Sequence, residues 1–134
     1  MIKAMDAGNK SFLGQEALDT EHQGQIDLLL LVEEELAGAA DPGRLALLLD
    51  RLMEFTDIHF MSEQVLMRER AYPSLPAHEA EHTQLIEQMR NFQKRVETGE
   101  RTLTAADVSD LRGWVLQHIQ TKDAAFARYL GKDA

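Results

Sequence analysis

The chain has 134 residues, 44% of them hydrophobic and 28% charged, which leaves room for one domain with one core. Its net charge of −9 repels phosphate backbones and anionic bilayer surfaces, and no local basic patch offsets it, so nucleic acid is excluded as a partner. The absence of cysteine removes disulfides, thiolate ligands and iron–sulfur clusters together, so any metal must be met by nitrogen and oxygen.

Met1 to Asp6 forms no apolar signal core, and the longest apolar run, Leu28 to Val32, is too short to span a bilayer. The expectation is a cytoplasmic protein with no membrane insertion. Residues 1–17 read as an N-terminal arm. A first helix follows over about 19–37 and stops at Gly38, where glycine can take a left-handed cap. Asp41 and Pro42 read as N-cap and first-turn proline of a second helix over about 42–70. Tyr72-Pro73-Ser74 breaks the chain, Ser74 caps a third helix over about 75–98, and Gly99 ends it. Thr104 with Asp107 resembles a capping box, opening a fourth helix over about 105–130 that Gly131 closes. Short connections make neighbouring helices antiparallel. The predicted fold is all-α: one domain over 1–134, an up-down-up-down antiparallel four-helix bundle with an N-terminal arm.

Alternating three- and four-residue steps trace the inward seams. Helix 1 gives Leu18, His22, Ile26, Leu29, Glu33 and Leu36. Helix 2 gives Leu45, Leu49, Leu52, Thr56, His59, Glu63 and Leu66. Helix 3 gives Leu75, His78, His82, Leu85, Met89, Phe92 and Val96. Helix 4 runs through Val108, Leu111, Val115 and His118, then needs a step of five to reach Asp123 before resuming at Phe126 and Leu130. A step of five turns a side chain about 140° away on an α-helix. One π-bulge absorbs the extra residue, and the spacing predicts one between His118 and Asp123. No exposed apolar stripe is expected beyond these seams. Glu33-Glu34-Glu35 reads as a solvated face, and Met53, Met61, Met67 and Met89 as gap-filling core or rim residues.

All five histidines, His22, His59, His78, His82 and His118, fall on inward seams. A lone histidine on an apolar face is most often an ordinary half-buried residue. The His59/Glu63 and His78/His82 pairs each stand four apart, about 40° from alignment, a spacing that suits convergence on a metal. Five histidines and two acids on four facing seams go further. Buried without a metal, they would leave several polar groups and two carboxylates uncompensated.

The segments that carry this pattern resemble the hemerythrin family, in particular its single-domain bacterial members, and the match covers most of the chain. Leu18-Asp19-Thr20-Glu21-His22 looks like the family's first ligand segment, and His59-Phe60-Met61-Ser62-Glu63 its His-Phe-x-x-Glu segment. Tyr72-Pro73 followed by His78-Glu79-Ala80-Glu81-His82 is similar to the third. Trp114 to Asp123, continuing to Phe126 and Tyr129-Leu130, is the nearest match. Two departures stand out: Gln64 sits where members often carry a second acid, and the arm offers Phe12 where they often carry tryptophan.

The resemblance implies that His78, His82 and His118 bind one iron, that His22 and His59 bind the other, and that Glu63 and Asp123 bridge both with an oxo or hydroxo group. Two octahedral ions offer twelve positions, and these ligands leave one open on the iron of His22 and His59. The expected function is therefore reversible dioxygen binding at a non-haem di-iron centre for storage, delivery or sensing, without catalysis. The partner is dioxygen, with an unidentified protein as its eventual recipient. The competing class is a di-iron enzyme acting on peroxide, nitric oxide or ferrous iron. The chain lacks the Glu-x-x-His motif of carboxylate-rich di-iron oxidases, and neutral imidazoles favour the reduced pair. Ile26, Phe60, Trp114, Val115 and Ile119, each within a turn of a ligand, are the expected lining of a dry dioxygen pocket.

Overall fold

The computed structural model describes residues 16–99 and 102–132. Every regular element among them is helical: α1 (Glu16–Ala37), α2 (Pro42–Glu69), α3 (Leu75–Thr98) and α4 (Ala105–His118). A π-helical turn, Ile119–Asp123, then leads into α5 (Ala124–Lys132), so the fourth rod of the bundle is α4, the π-turn and α5 in succession. The arm expected over 1–17 lies outside the described residues except for Glu16 and Ala17, which already belong to α1. Side-chain pairs establish the directions. Glu21 meets His59, Gln25 meets Thr56 and Glu35 meets Arg44, so α1 and α2 run antiparallel. Asp50 with Gln93 and Arg68 with Glu79 do the same for α2 and α3. Arg95 with Asp107 and Glu81 with His118 set α3 against the fourth rod, and Glu33 with Arg112 closes the ring back to α1.

Helix ends follow from local chemistry. Asp41 accepts a hydrogen bond from the Gly43 N–H ahead of α2, and Thr104 and Asp107 form both bonds of a capping box at the start of α4. Gly99 takes φ 69 and its N–H donates to Arg95 O, ending α3 in the left-handed conformation glycine favours. Three expected helix ends differ. Gly38 does not adopt positive φ; Glu35 instead accepts the Asp41 N–H at 2.9 Å and pairs with Arg44, so a side chain ties the turn together. Ser74 makes no side-chain capping bond. At the other end of the fourth rod, α5 continues through Gly131 to Lys132.

The turn after α2 is a Schellman motif. Ala71 N–H donates to Arg68 O and Tyr72 N–H to Met67 O, with Ala71 at φ 51 and Pro73 just beyond. Tyr129 braces it from α5, its hydroxyl donating to Arg70 O at 2.7 Å.

Two apolar clusters hold the bundle. The larger includes Leu29, Val32, Leu49, Leu52, Met89, Phe92, Val108 and Leu111. The smaller packs Met67, Phe126 and Leu130 with Tyr72 and Leu75 at the opposite end. Each fully buried side chain of this size contributes about 1.5–3 kcal/mol. Val32, not Glu33, occupies the inward position on α1, and Met67 is more buried than Leu66 on α2. Glu33 turns aside to pair with Arg112. The outer face of α2 carries a stripe that the seams did not foretell: Leu47, Ile58, Met61 and Val65 are exposed, so Met61 is neither core nor gap-filler. No helix among the described residues is long and apolar enough to cross a membrane.

Candidate metal centre

Between the two apolar clusters lies a buried polar layer. α1 supplies His22, α2 His59 and Glu63, α3 His78 and His82, α4 His118, and the π-turn Asp123; each is no more than 2% exposed. The pairs four apart on α2 and α3 share a face because four residues fall only about 40° beyond a full turn. His118 and Asp123 share one because the π-turn takes up the extra residue between them.

Each carboxylate points one oxygen to each side. Glu63 Oε1 lies 3.1 Å from His78 Nε2 and 3.0 Å from His82 Nε2, while its Oε2 lies 3.6 Å from His22 Nε2 and 3.7 Å from His59 Nε2. Asp123 Oδ1 lies 2.8 Å from His78 Nε2 and 3.0 Å from His118 Nε2, and its Oδ2 2.8 Å from His22 Nε2. The donors therefore form two overlapping groups, His78, His82 and His118 with both acids, and His22 and His59 with both acids. His59 Nε2, Glu63 Oε2 and both Asp123 oxygens have nitrogens or oxygens nearby but none in hydrogen-bond geometry. Donor atoms crowded together without bonding one another are aimed at shared points, which fits metal ions with nitrogen and oxygen ligands.

The electrostatics agree. Burial pushes His22 and His78 down, but the Asp123 and Glu63 carboxylates outweigh it and raise each to about 9. His118 is raised too, against burial, by Asp123 and Glu81. Burial would raise both acids, yet the surrounding histidines hold Glu63 and Asp123 well below the usual carboxylate range. His82 is lowered by burial and by the neighbouring His118 and His78, against the pull of Glu63. Without metal, protons supply the positive charge that two buried carboxylates require.

A set of outer partners escaped the seam reading. His59 Nδ1–H donates to Glu21 at 2.6 Å and His118 Nδ1–H to Glu81 at 2.5 Å, while Gln64 meets His82 Nδ1 at 3.1 Å. Each partner directly neighbours an inward residue in sequence but serves a histidine on the adjacent helix. One step along a helix is about 100° around it, which aims such a side chain at the boundary with the next helix. Polar residues flanking a ligand were thus the available signal. Such partners orient the imidazole and set which nitrogen carries its proton.

Of the expected pocket residues, Ile26, Phe60, Val115 and Ile119 are buried. Phe60 stacks face to face on His82, centroids 3.7 Å apart. Trp114 does not join them: it is 49% exposed and lines a surface cavity with Glu81, Gln84 and Gln88, between α3 and α4. Standing one residue before inward-facing Val115, it is carried about 100° round to the flank of the bundle.

A family model described as the hemerythrin HHE cation binding domain matches residues 13–130. The chain is 30% identical over 122 residues to the bacteriohemerythrin of Stenotrophomonas maltophilia, spanning 86% of this chain and 74% of that protein. It is 26% identical over 108 residues to the bacteriohemerythrin of Methylococcus capsulatus, spanning 81% and 82%. With the myohemerythrin of Sipunculus nudus it shares 30% identity over 94 residues, 70% and 69% of the two chains. A crystal structure of wild-type hemerythrin has the same fold, with a TM-score of 0.79 at 24% identity over 88% of each chain.

Proposed function

The chain belongs to the hemerythrin family, and from that premise we propose that it binds dioxygen reversibly at a non-haem di-iron centre and is not an enzyme. His78, His82 and His118 would hold one iron and His22 and His59 the other, with Glu63 and Asp123 each offering one oxygen to either group. The observation that carries this reading is the split of each carboxylate, one oxygen facing each histidine group. When bound, two ferrous ions supply the pair of electrons that dioxygen takes up and gives back.

The chain's own residues do the rest. Two carboxylates would offset half of the four positive charges of two ferrous ions and a hydroxide a third charge, the neutral imidazoles adding none, which limits the cost of enclosing the centre. Glu21 and Glu81 hold His59 and His118 with Nε2 inward. Ile26, Phe60, Val115 and Ile119 exclude water from the site, and Phe60 keeps the His82 ring from tilting. Exclusion of water and protons favours release of dioxygen over its irreversible reduction.

The test is anaerobic reduction of the iron-loaded protein, optical titration with dioxygen, then deoxygenation. A visible absorption band that appears and disappears, with about two irons per chain, is the expected result. Irreversible oxidation accompanied by turnover of added peroxide, nitric oxide or ferrous iron would move the protein into the enzyme class.

A further inference from the structure

The outer face of α2 carries a second seam. From Leu47 a line runs through Arg51, Glu54, Ile58, Met61 and Val65 in strictly alternating four- and three-residue steps, the spacing by which helices pair. At about 100° per residue it lies roughly opposite the seam that carries His59 and Glu63. Ile58 is 68% exposed, Met61 65%, Leu47 51% and Val65 47%. The outward face of α3 differs: Gln84, Glu87, Asn91 and Lys94 occupy it, as on a helix face meant for water. An apolar line on one helix marks an interaction surface instead. The same face is electrically balanced. Between Arg44 and Arg68 the charged side chains outside the core are Arg44, Arg51 and Arg68 against Asp50, Glu54 and Asp57, in a chain of net charge −9. Two copies can meet there without the repulsion that the rest of the surface imposes.

We propose that two copies of this chain associate through α2, antiparallel about a two-fold axis level with Leu52 and Met53. The charges select that arrangement. In it Arg51 of each copy faces Glu54 of the other, Leu47 faces Ile58, and the Arg44 stem lies over Met61. A parallel pair would set Arg51 against Arg51 and Glu54 against Glu54. Sliding the antiparallel pair by one heptad opposes charged and apolar side chains in either direction: Arg51 and Glu54 meet Met61 and Ile58, or Arg51 meets Leu47. Asp50 and Asp57 lie to one side of the line and stay in water, where salt screens them. The helices overlap for roughly 30 Å. A strip of that length buries on the order of 1,000 Å2 in total, at the low end for a specific interface, so the dimer is reversible and concentration-dependent.

Sedimentation velocity on the full chain, from about 1 μM to about 1 mM, should show monomer passing into dimer. Arg51→Glu and Glu54→Arg should each weaken the dimer at least about tenfold, because each places two like-charged pairs in the interface, with helicity unchanged by circular dichroism. An equimolar mixture of these two variants should recover the dimer, since every facing pair is then opposite in sign. Ile58→Asp, on the exposed face, should leave a folded monomer at all concentrations. Wild-type protein that stays monomeric throughout would overturn the proposal and leave the stripe to a partner of different sequence. A dimer that survives Ile58→Asp lies on another face and would overturn it equally. A dimer lost in Ile58→Asp but indifferent to both charge variants would overturn the antiparallel register.

Discussion

Deleting Gln120, an exposed residue of the π-turn, isolates what the extra residue in the fourth rod does. With Gln120 present, a purely α-helical rod would turn Asp123 about 140° from His118; without it the step is four residues and the offset about 40°. The deletion also restores an unbroken three-and-four alternation from Val108 to Leu130, so Phe126 and Leu130 keep their inward phase. We expect the metal-free variant to unfold at no lower urea concentration than wild type, with the π-turn replaced by α-helix. Iron retention should nevertheless weaken, because Asp123 is drawn about 1.5 Å along the axis while a ligand must be held within about 0.5 Å. Inserting one alanine after Gln120 is the opposite perturbation. It turns everything beyond by about 100° and carries Phe126, now 0% exposed, and Leu130, 9% exposed, out of the core at roughly 1.5–3 kcal/mol each. Urea unfolding followed by circular dichroism, together with iron per chain, reads both variants. A deletion variant as unstable as the insertion variant would refute the phase argument.

Three further outcomes follow from the fold and the site. Thr56→Val removes the hydroxyl that accepts the buried Gln25 amide at 3.1 Å, and should lower unfolding free energy by about 1–3 kcal/mol with no change in metal content; a neutral effect would mean that Gln25 finds another acceptor. Ala71→Gly relieves a left-handed alanine at φ 51 and should raise stability by about 1 kcal/mol, visible as a higher melting temperature; no rise would show that the turn is not strained there. For pH, His22 and His78 are raised to about 9 when metal-free, so their contribution to stability is fully present below pH 6.5 and is lost as pH rises through about 9. Glu63 and Asp123 are depressed, so theirs is present above the ordinary carboxylate range and is lost as pH falls below it. Thermal melts of the metal-free protein should therefore decline toward alkaline pH, and Zn2+ loading near neutrality should release protons to an indicator dye. A melting temperature flat from about pH 6 to 10, or loading without proton release, would contradict the paired histidines.

Helix boundaries were largely readable because they depend on contacts within four or five residues. Asp41, Thr104 with Asp107 and Gly99 each act on the backbone beside them, so a linear reading contains the relevant chemistry. Gly38 was misread for the complementary reason: its turn is held by Glu35 reaching across to Asp41 and Arg44, a solution that needs the second helix in place.

The seven polar residues of the central layer and the phase slip before Asp123 were determined by sequence alone, since helical periodicity assigns each position a direction. Periodicity fixes the direction to within tens of degrees and says nothing about a neighbour's reach. Whether Glu33 or Val32 faces inward, whether Trp114 lines the site or the surface, and which histidine Glu21, Gln64 and Glu81 serve were therefore left to the packing of one helix against another. The tertiary structure also supplied the split of each carboxylate between two histidine groups. That split depends on ångström-scale distances between four separate elements, and no spacing within a single chain segment encodes them.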